Sequence, residues 1–171
     1  MSFTTIIFAI AFLFPVVMAI SMSFDLLTMT IPNSISLVLV AGYLVSAAAA
    51  RLPLQEVLFN LSCGAAVLSA TFLMFSFRWI GGGDAKFAAA TALWMGWSAV
   101  LDYGVTASIC GGLLTLGLLV ARNAELPAVL ARLPWLLRLH DKKTGVPYGI
   151  ALGAAGLLQY PHTQIWTAMV G

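Results

Sequence analysis

The sequence predicts an all-α, polytopic membrane protein of about six transmembrane helices, and three observations predict it. The residues are 61% hydrophobic and only 8% charged, whereas soluble domains carry roughly 25% charged residues. The mean hydropathy is +1.01, so a water-soluble fold would lack the charges to cover its surface and the natural solvent is lipid. A spanning helix takes about 20 apolar residues, so a chain of 171 residues has room for six or seven spans and little besides. That makes residues 1–171 a single membrane-embedded domain. The net charge of +2, with no basic face interleaved with aromatics, excludes nucleic acid as a partner. The bilayer is the partner that composition names.

The first span covers about residues 3–24 and ends at Asp25. Its start lacks the Lys or Arg of a secretory signal and its apolar run is too long for one, so it reads as a retained helix. Pro15 within it is tolerable where neighbours satisfy the freed carbonyl. The second span covers about 34–50 and the third about 57–77, joined by the short linker 51–56. After Arg78-Trp79-Ile80-Gly81-Gly82-Gly83-Asp84 come a fourth span over about 85–100 and a fifth over about 105–120. The stretch 121–145 carries five of the eight basic residues among Leu and Trp, the pattern of a loop with an interfacial amphipathic helix. The last span covers about 146–160, with a short tail after Pro161.

Basic residues accumulate on the cytoplasmic side of a membrane protein. Loops one, three and five share one side and hold Arg78, Lys86, Arg122, Arg132, Arg138, Lys142 and Lys143, against Arg51 alone on the other. The expected topology therefore has the N-terminus outside and the basic loop in the cytoplasm.

Topology then sorts the six acidic residues. Asp25 closes the first span and Asp84 opens the fourth, so both lie at the cytoplasmic membrane edge. Glu56 and Asp102 fall on the far side, while Glu125 and Asp141 lie in the basic loop, where pairing with Arg or Lys is expected. Ionisable groups at membrane depth are costly, so two acids kept at one edge need a reason. Paired carboxyls supply one: they share a proton, and one can deprotonate water while the other protonates a substrate carbonyl. Each acid also has a plainer reading. Asp84 follows three glycines and precedes a helix, which suits an N-terminal cap, and Asp25 can simply be solvated at the edge. Gly81, Gly82 and Gly83 allow close backbone approach, or form an ordinary turn. By the helix dipole alone, a shared proton belongs on Asp25, at a C-terminal end, and the carboxylate on Asp84, at an N-terminal end.

The remaining polar residues carry less. Lys86, roughly 200° around a helix from Asp84, should point away and reach headgroups. Cys63 and Cys110 lie in apolar runs and read as small hydrophobes, and His140 and His162 lack a second ligand at metal spacing, so no metal or cofactor is expected. Trp79, Trp94, Trp97, Trp135 and Trp166 read as interfacial anchors.

Three motifs give the chain a resemblance, over nearly its whole length, to the bacterial type IV prepilin peptidase family of Gly-x-Gly-Asp aspartyl proteases, especially the short form serving tight-adherence (Flp) pili. They are Asp25 followed by Ile31-Pro32-Asn33, then Gly81-Gly82-Gly83-Asp84-Ala85-Lys86, then Val146-Pro147-Tyr148-Gly149. The resemblance implies that Asp25 and Asp84 are catalytic, with Gly81, Gly82, Gly83, Lys86, Pro32, Asn33, Pro147, Tyr148 and Gly149 as supporting residues. It implies a location in the bacterial inner membrane and a prepilin substrate cut after a glycine at the end of its cytoplasmic leader. Two departures stand out. Residues 26–30 lack the basic residues common in the family at that place, and the cysteine-bearing N-terminal segment of the long bifunctional members is absent, so methyltransferase activity is not expected. Two other classes compete: a small transporter subunit, which would carry acids midway through the membrane, and a noncatalytic subunit of a pilus or secretion machine. A metalloprotease His-Glu-x-x-His is absent.

Overall fold

The computed structural model describes residues 10–127 and 129–170, and among them every regular element is helical. The helices are α1 (Leu13–Thr28), α2 (Asn33–Ala49), α3 (Leu54–Ser76), α4 (Gly82–Ala121), α5 (Pro134–His140), α6 (Tyr148–Gln159) and α7 (Gln164–Val170). The expected start of the first span at about residue 3 lies outside the described residues. Helix α2 and α3 fall within a few residues of expectation.

Three boundaries differ for identifiable reasons. Helix α1 follows the helical residues 10–11 directly and carries Pro15 in its first turn, where a missing N–H leaves no intrahelical bond unmade. It continues through Asp25 to Thr28 and ends on Met29, whose left-handed backbone (φ 57) returns an N–H to the carbonyl of Asp25. The expected tail after Pro161 is helix α7, whose buried Ile165 and partly buried Trp166 pack at the end of the bundle opposite the acids. Within the basic stretch, the regular structure is a 3₁₀ turn (Leu130–Arg132) and α5, tied down by the buried Arg122, which donates to the carbonyls of Leu139 (2.7 Å) and Gly145 (2.9 Å).

The largest correction concerns α4. A loop was expected near residues 101–104, yet those residues are helical and the chain reverses at Gly96. Gly96 has φ 61 and ψ 179, a backbone region essentially closed to other residues, and the Asn60 side chain occupies the space a Cβ would need. As a straight rod α4 would hold Asp84 and Gly111 about 40 Å apart; instead both line one groove. The helix is therefore a hairpin of an inner arm, 82–95, and an outer arm, 97–121. Asp102 sits within the outer arm rather than in a connecting loop.

The inner arm is the centre of the bundle. Helix α3 runs along it, bringing Gly64 against Leu93 and Gly82 against Phe75. Helix α1 seats its Phe14, Met18 and Met22 on Gly156 and Gly153 of α6, and one turn further along the same pairing brings Asp25 to Gly149. Away from the acids the core is aromatic: Phe14 stacks on Tyr160 at 4.5 Å and packs on Trp94 at 4.9 Å. Trp94 is 1% exposed and donates its indole N–H to the carbonyl of Leu39, so it is a core residue and not an interfacial anchor. The outer arm, in contrast, exposes Leu101, Val105, Ile109, Leu113, Leu116 and Val120, an apolar face suited to lipid. Among the described residues two helices, Leu54–Ser76 and Gly82–Ala121, are long and apolar enough by themselves to cross a membrane.

Candidate active site

Asp25 and Asp84 reach the same corner from different directions. Asp25 lies on the face of α1 that buries Phe14, Met18 and Ser21, so the periodicity that packs α1 also turns its carboxyl inward, where the residue is 4% exposed. Asp84 is the third residue of the inner arm, whose N-cap is Gly81. The two carboxyls are close enough for their charges to interact.

Helix α6 completes the corner. The N–H of Gly149 donates to Oδ2 of Asp25 at 2.7 Å. A Cβ on Gly149 would stand 2.7 Å from that oxygen and 2.7 Å from Cδ1 of Ile31, closer than real Cβ contacts allow, so only glycine permits this bond. Ile31, 8% exposed, is the spacer: it touches Gly149 on one side and lies 3.4 Å from the Cβ position of Gly83 on the other. Pro32 caps α2 directly after it. The three glycines before Asp84 thus serve internal close packing, Gly81 against the Asp84 carboxyl, Gly82 against Phe75 and Gly83 against Ile31.

The N-terminus of α6 at Asp25 also removes the dipole asymmetry expected from sequence. Asp84 faces the N-terminus of its own helix, and Asp25 now faces that of α6, so helix ends no longer distinguish the two acids. Because Oδ2 of Asp25 accepts an N–H, a proton carried by Asp25 must sit on Oδ1.

A groove of about 730 Å³ opens beside Asp84, between α3 and the outer arm, with Thr71, Tyr103, Thr115 and Tyr148 on its walls. The Tyr148 hydroxyl lies 3.3 Å from Oγ1 of Thr115, and Pro147 is the N-cap that sets Tyr148 and Gly149 at the start of α6. Lys86 and Asn33 do not join this site. The Lys86 ammonium donates to Oδ1 of Asn33 at 3.0 Å, and both line a second groove of about 570 Å³ on the other face of the inner arm, as the angular offset from Asp84 predicts. Among the described residues Asp141 has no basic side-chain partner; it accepts the backbone N–H of Lys143. Sequence reasoning passed over Ile31 as a packing residue and Tyr103 altogether, since a tyrosine in an apolar run carries no motif. Among the described residues there is no cluster of potential metal ligands.

This geometry, two carboxyls held together by packed helices with one fixed by a backbone N–H, is suited to activating water against a carbonyl. No curated protein and no solved structure matches the chain. A family model for the type IV leader peptidase family matches residues 12–116, a span that includes both aspartates and ends before Pro147. The chain belongs to the type IV leader peptidase family.

Proposed function

We propose that this chain is an intramembrane aspartyl endopeptidase that removes the leader of type IV prepilins of the Flp tight-adherence class, cutting after a glycine at the cytoplasmic face of the bacterial inner membrane. Family membership supports an aspartic-type peptidase in general. The observation that carries the specific reading is the meeting of Asp25 and Asp84 in one corner, with Gly149 donating to Asp25. In the bilayer α1, α2, α3, the two arms of α4, and α6 with α7 form six spans. The N-terminus is then periplasmic and the basic stretch 121–145 cytoplasmic, with Arg51 on the opposite side.

The reaction needs one proton shared between the acids. The ionised carboxyl takes a proton from water as its oxygen adds to the scissile carbonyl carbon, while the protonated carboxyl gives its proton to the carbonyl oxygen. The tetrahedral intermediate then collapses: the C–N bond breaks, the amine nitrogen takes the proton held by the base, one hydroxyl of the intermediate returns its proton to the other carboxyl, and the product acid and amine leave. The acids act directly on water and carbonyl, so the cut follows from their positions.

Purified protein in liposomes, given a prepilin with its transmembrane segment intact, tests this. Wild type should cleave after the leader glycine, and Asp25→Asn and Asp84→Asn should each lower the rate by at least about 10⁴-fold. Undiminished cleavage in either variant would remove the aspartyl reading, and a wild type that never cleaves would favour a noncatalytic subunit.

A further inference from the structure

The two grooves on either face of the inner arm differ in what they carry. The one beside Lys86 and Asn33, between α2 and α3, is lined by neither aspartate. The other has Asp84 and Ala88 of the inner arm in its floor and rises between α3 and the outer arm. Counted in equal steps from the Gly96 turn, Asp84 stands level with Ser108 of that outer wall. The wall runs from Val100 to Leu116, which places about 12 Å of groove on each side of Ser108. One half lies toward the Gly96 turn and the other toward the basic stretch 121–145. The groove therefore continues past the carboxyl in both directions, as a site for an uncut chain must, and its whole length of about 24 Å approaches the roughly 30 Å hydrocarbon core of a bilayer.

The walls say how that chain is held. Thr71 donates to the carbonyl of Val67 (2.7 Å), Ser108 to that of Gly104 (2.8 Å) and Thr115 to that of Gly111 (2.7 Å), so these hydroxyls are spent within their own helices and the groove selects by shape. On the outer wall Gly104, Ser108 and Gly112 are exposed, and a side chain begun at Gly104 or Gly112 would meet nothing within 4 Å. Both glycines thus leave room for another chain to approach the backbone, as small residues do at membrane helix contacts. A small polar ligand finds few free donors here, and a lipid tail makes no use of a carboxyl beside it. A polypeptide that is apolar on one side of Asp84 and reaches the basic stretch on the other uses every part of the groove.

Resting on the peptidase reading, we propose that the uncut substrate enters sideways from the bilayer between α3 and the outer arm and lies along this groove. Its transmembrane helix packs against Gly104, on the Gly96 side of Asp84, and its leader passes Gly112 on the other side. Gly104, Ser108 and Gly112 are then substrate-contacting residues that limit the size of the side chains the substrate presents to them. The groove beside Lys86 takes no part in binding it.

Gly104→Leu and Gly112→Leu each fill the groove from an open position. In liposomes with an intact prepilin, each should raise KM about tenfold, the size of an overpacked contact, without lowering the melting temperature, because leucine is the better helix former. Gly117→Leu, equally open but outside the groove, and Ala65→Leu, in the groove beside Lys86, should leave KM unchanged. A photoreactive side chain at Ser108 of the Asp84→Asn enzyme, which holds substrate uncut, should capture prepilin, and one at Ala65 should not. Capture at Ala65 in place of Ser108, or an unchanged KM in both glycine variants, overturns the proposal while leaving the peptidase intact. Capture of a second enzyme copy at Ser108, with no prepilin, overturns it and makes the groove a dimer interface. A wild type that never cleaves removes the peptidase reading, and capture at Ser108 then decides the docking face by itself.

Discussion

The inner and outer arms of α4 are both apolar, both helical and joined at a single glycine, yet they meet opposite surroundings. From Phe87 to Met95 every residue of the inner arm is buried, and the sequence there is rich in alanine, so α3, α2, α1 and α6 can close around it. The outer arm buries only Ala99, Tyr103 and Gly111 and turns Leu, Val and Ile outward. The lesson is that residue size divides the arms where hydropathy does not. Small residues admit neighbouring helices, as at membrane helix contacts in general, and the arm so enclosed is the one that carries a carboxyl into the site.

The largest expected effect is where inner arm, α1 and α6 converge. Gly149→Ala puts a methyl group against Oδ2 of Asp25 and Cδ1 of Ile31, so α6 must retreat and the Gly149 N–H leave the acid. A displacement near 1 Å costs about 100-fold in rate. Prepilin cleavage by Gly149→Ala should fall by that order while the protein stays helical by circular dichroism; full activity would mean that Gly149 does not position Asp25.

The turn between the arms comes next. Gly96→Ala must hold an alanine at φ 61 and ψ 179 and displace Asn60, at a cost of about 1–3 kcal/mol. The unfolding midpoint in detergent should drop, and Asn60→Ala, which clears the space without relieving the backbone, should restore only part of it. Complete restoration would assign the whole effect to crowding.

The smallest effect sharpens the contrast directly. Gly117, on the outer arm, has nothing within 4 Å of a new Cβ, so Gly117→Ala should stabilise by up to about 1 kcal/mol through helix propensity. Ala92→Leu, at a fully buried inner-arm position, should destabilise by about 1–3 kcal/mol through overpacking. Opposite signs in paired unfolding measurements support the division of the arms, and a stabilised Ala92→Leu would break it.

Much of the site was legible from sequence because acids are rare in apolar chains. Asp25 and Asp84 could be paired by topology alone, and the angular offset of Lys86 followed from helix geometry. Gly149 was legible only as a motif of resemblance; its contact with Asp25 depends on how α6 approaches α1. The loop expected at 101–104 was misplaced because Gly96 is one of many glycines here, and nothing local announces which of them takes a positive φ.

By itself the sequence determined an all-helical chain, the places of α2 and α3, and the pairing of Asp25 with Asp84, because apolar runs of spanning length and isolated charges are one-dimensional signals. Only the tertiary structure decided where α4 reverses, that Trp94 is core, and that α6 lends an N–H to Asp25. The physical reason is that lipid tails and a packed protein interior are about equally apolar. Hydropathy therefore says that a segment avoids water, and only packing says what it touches instead.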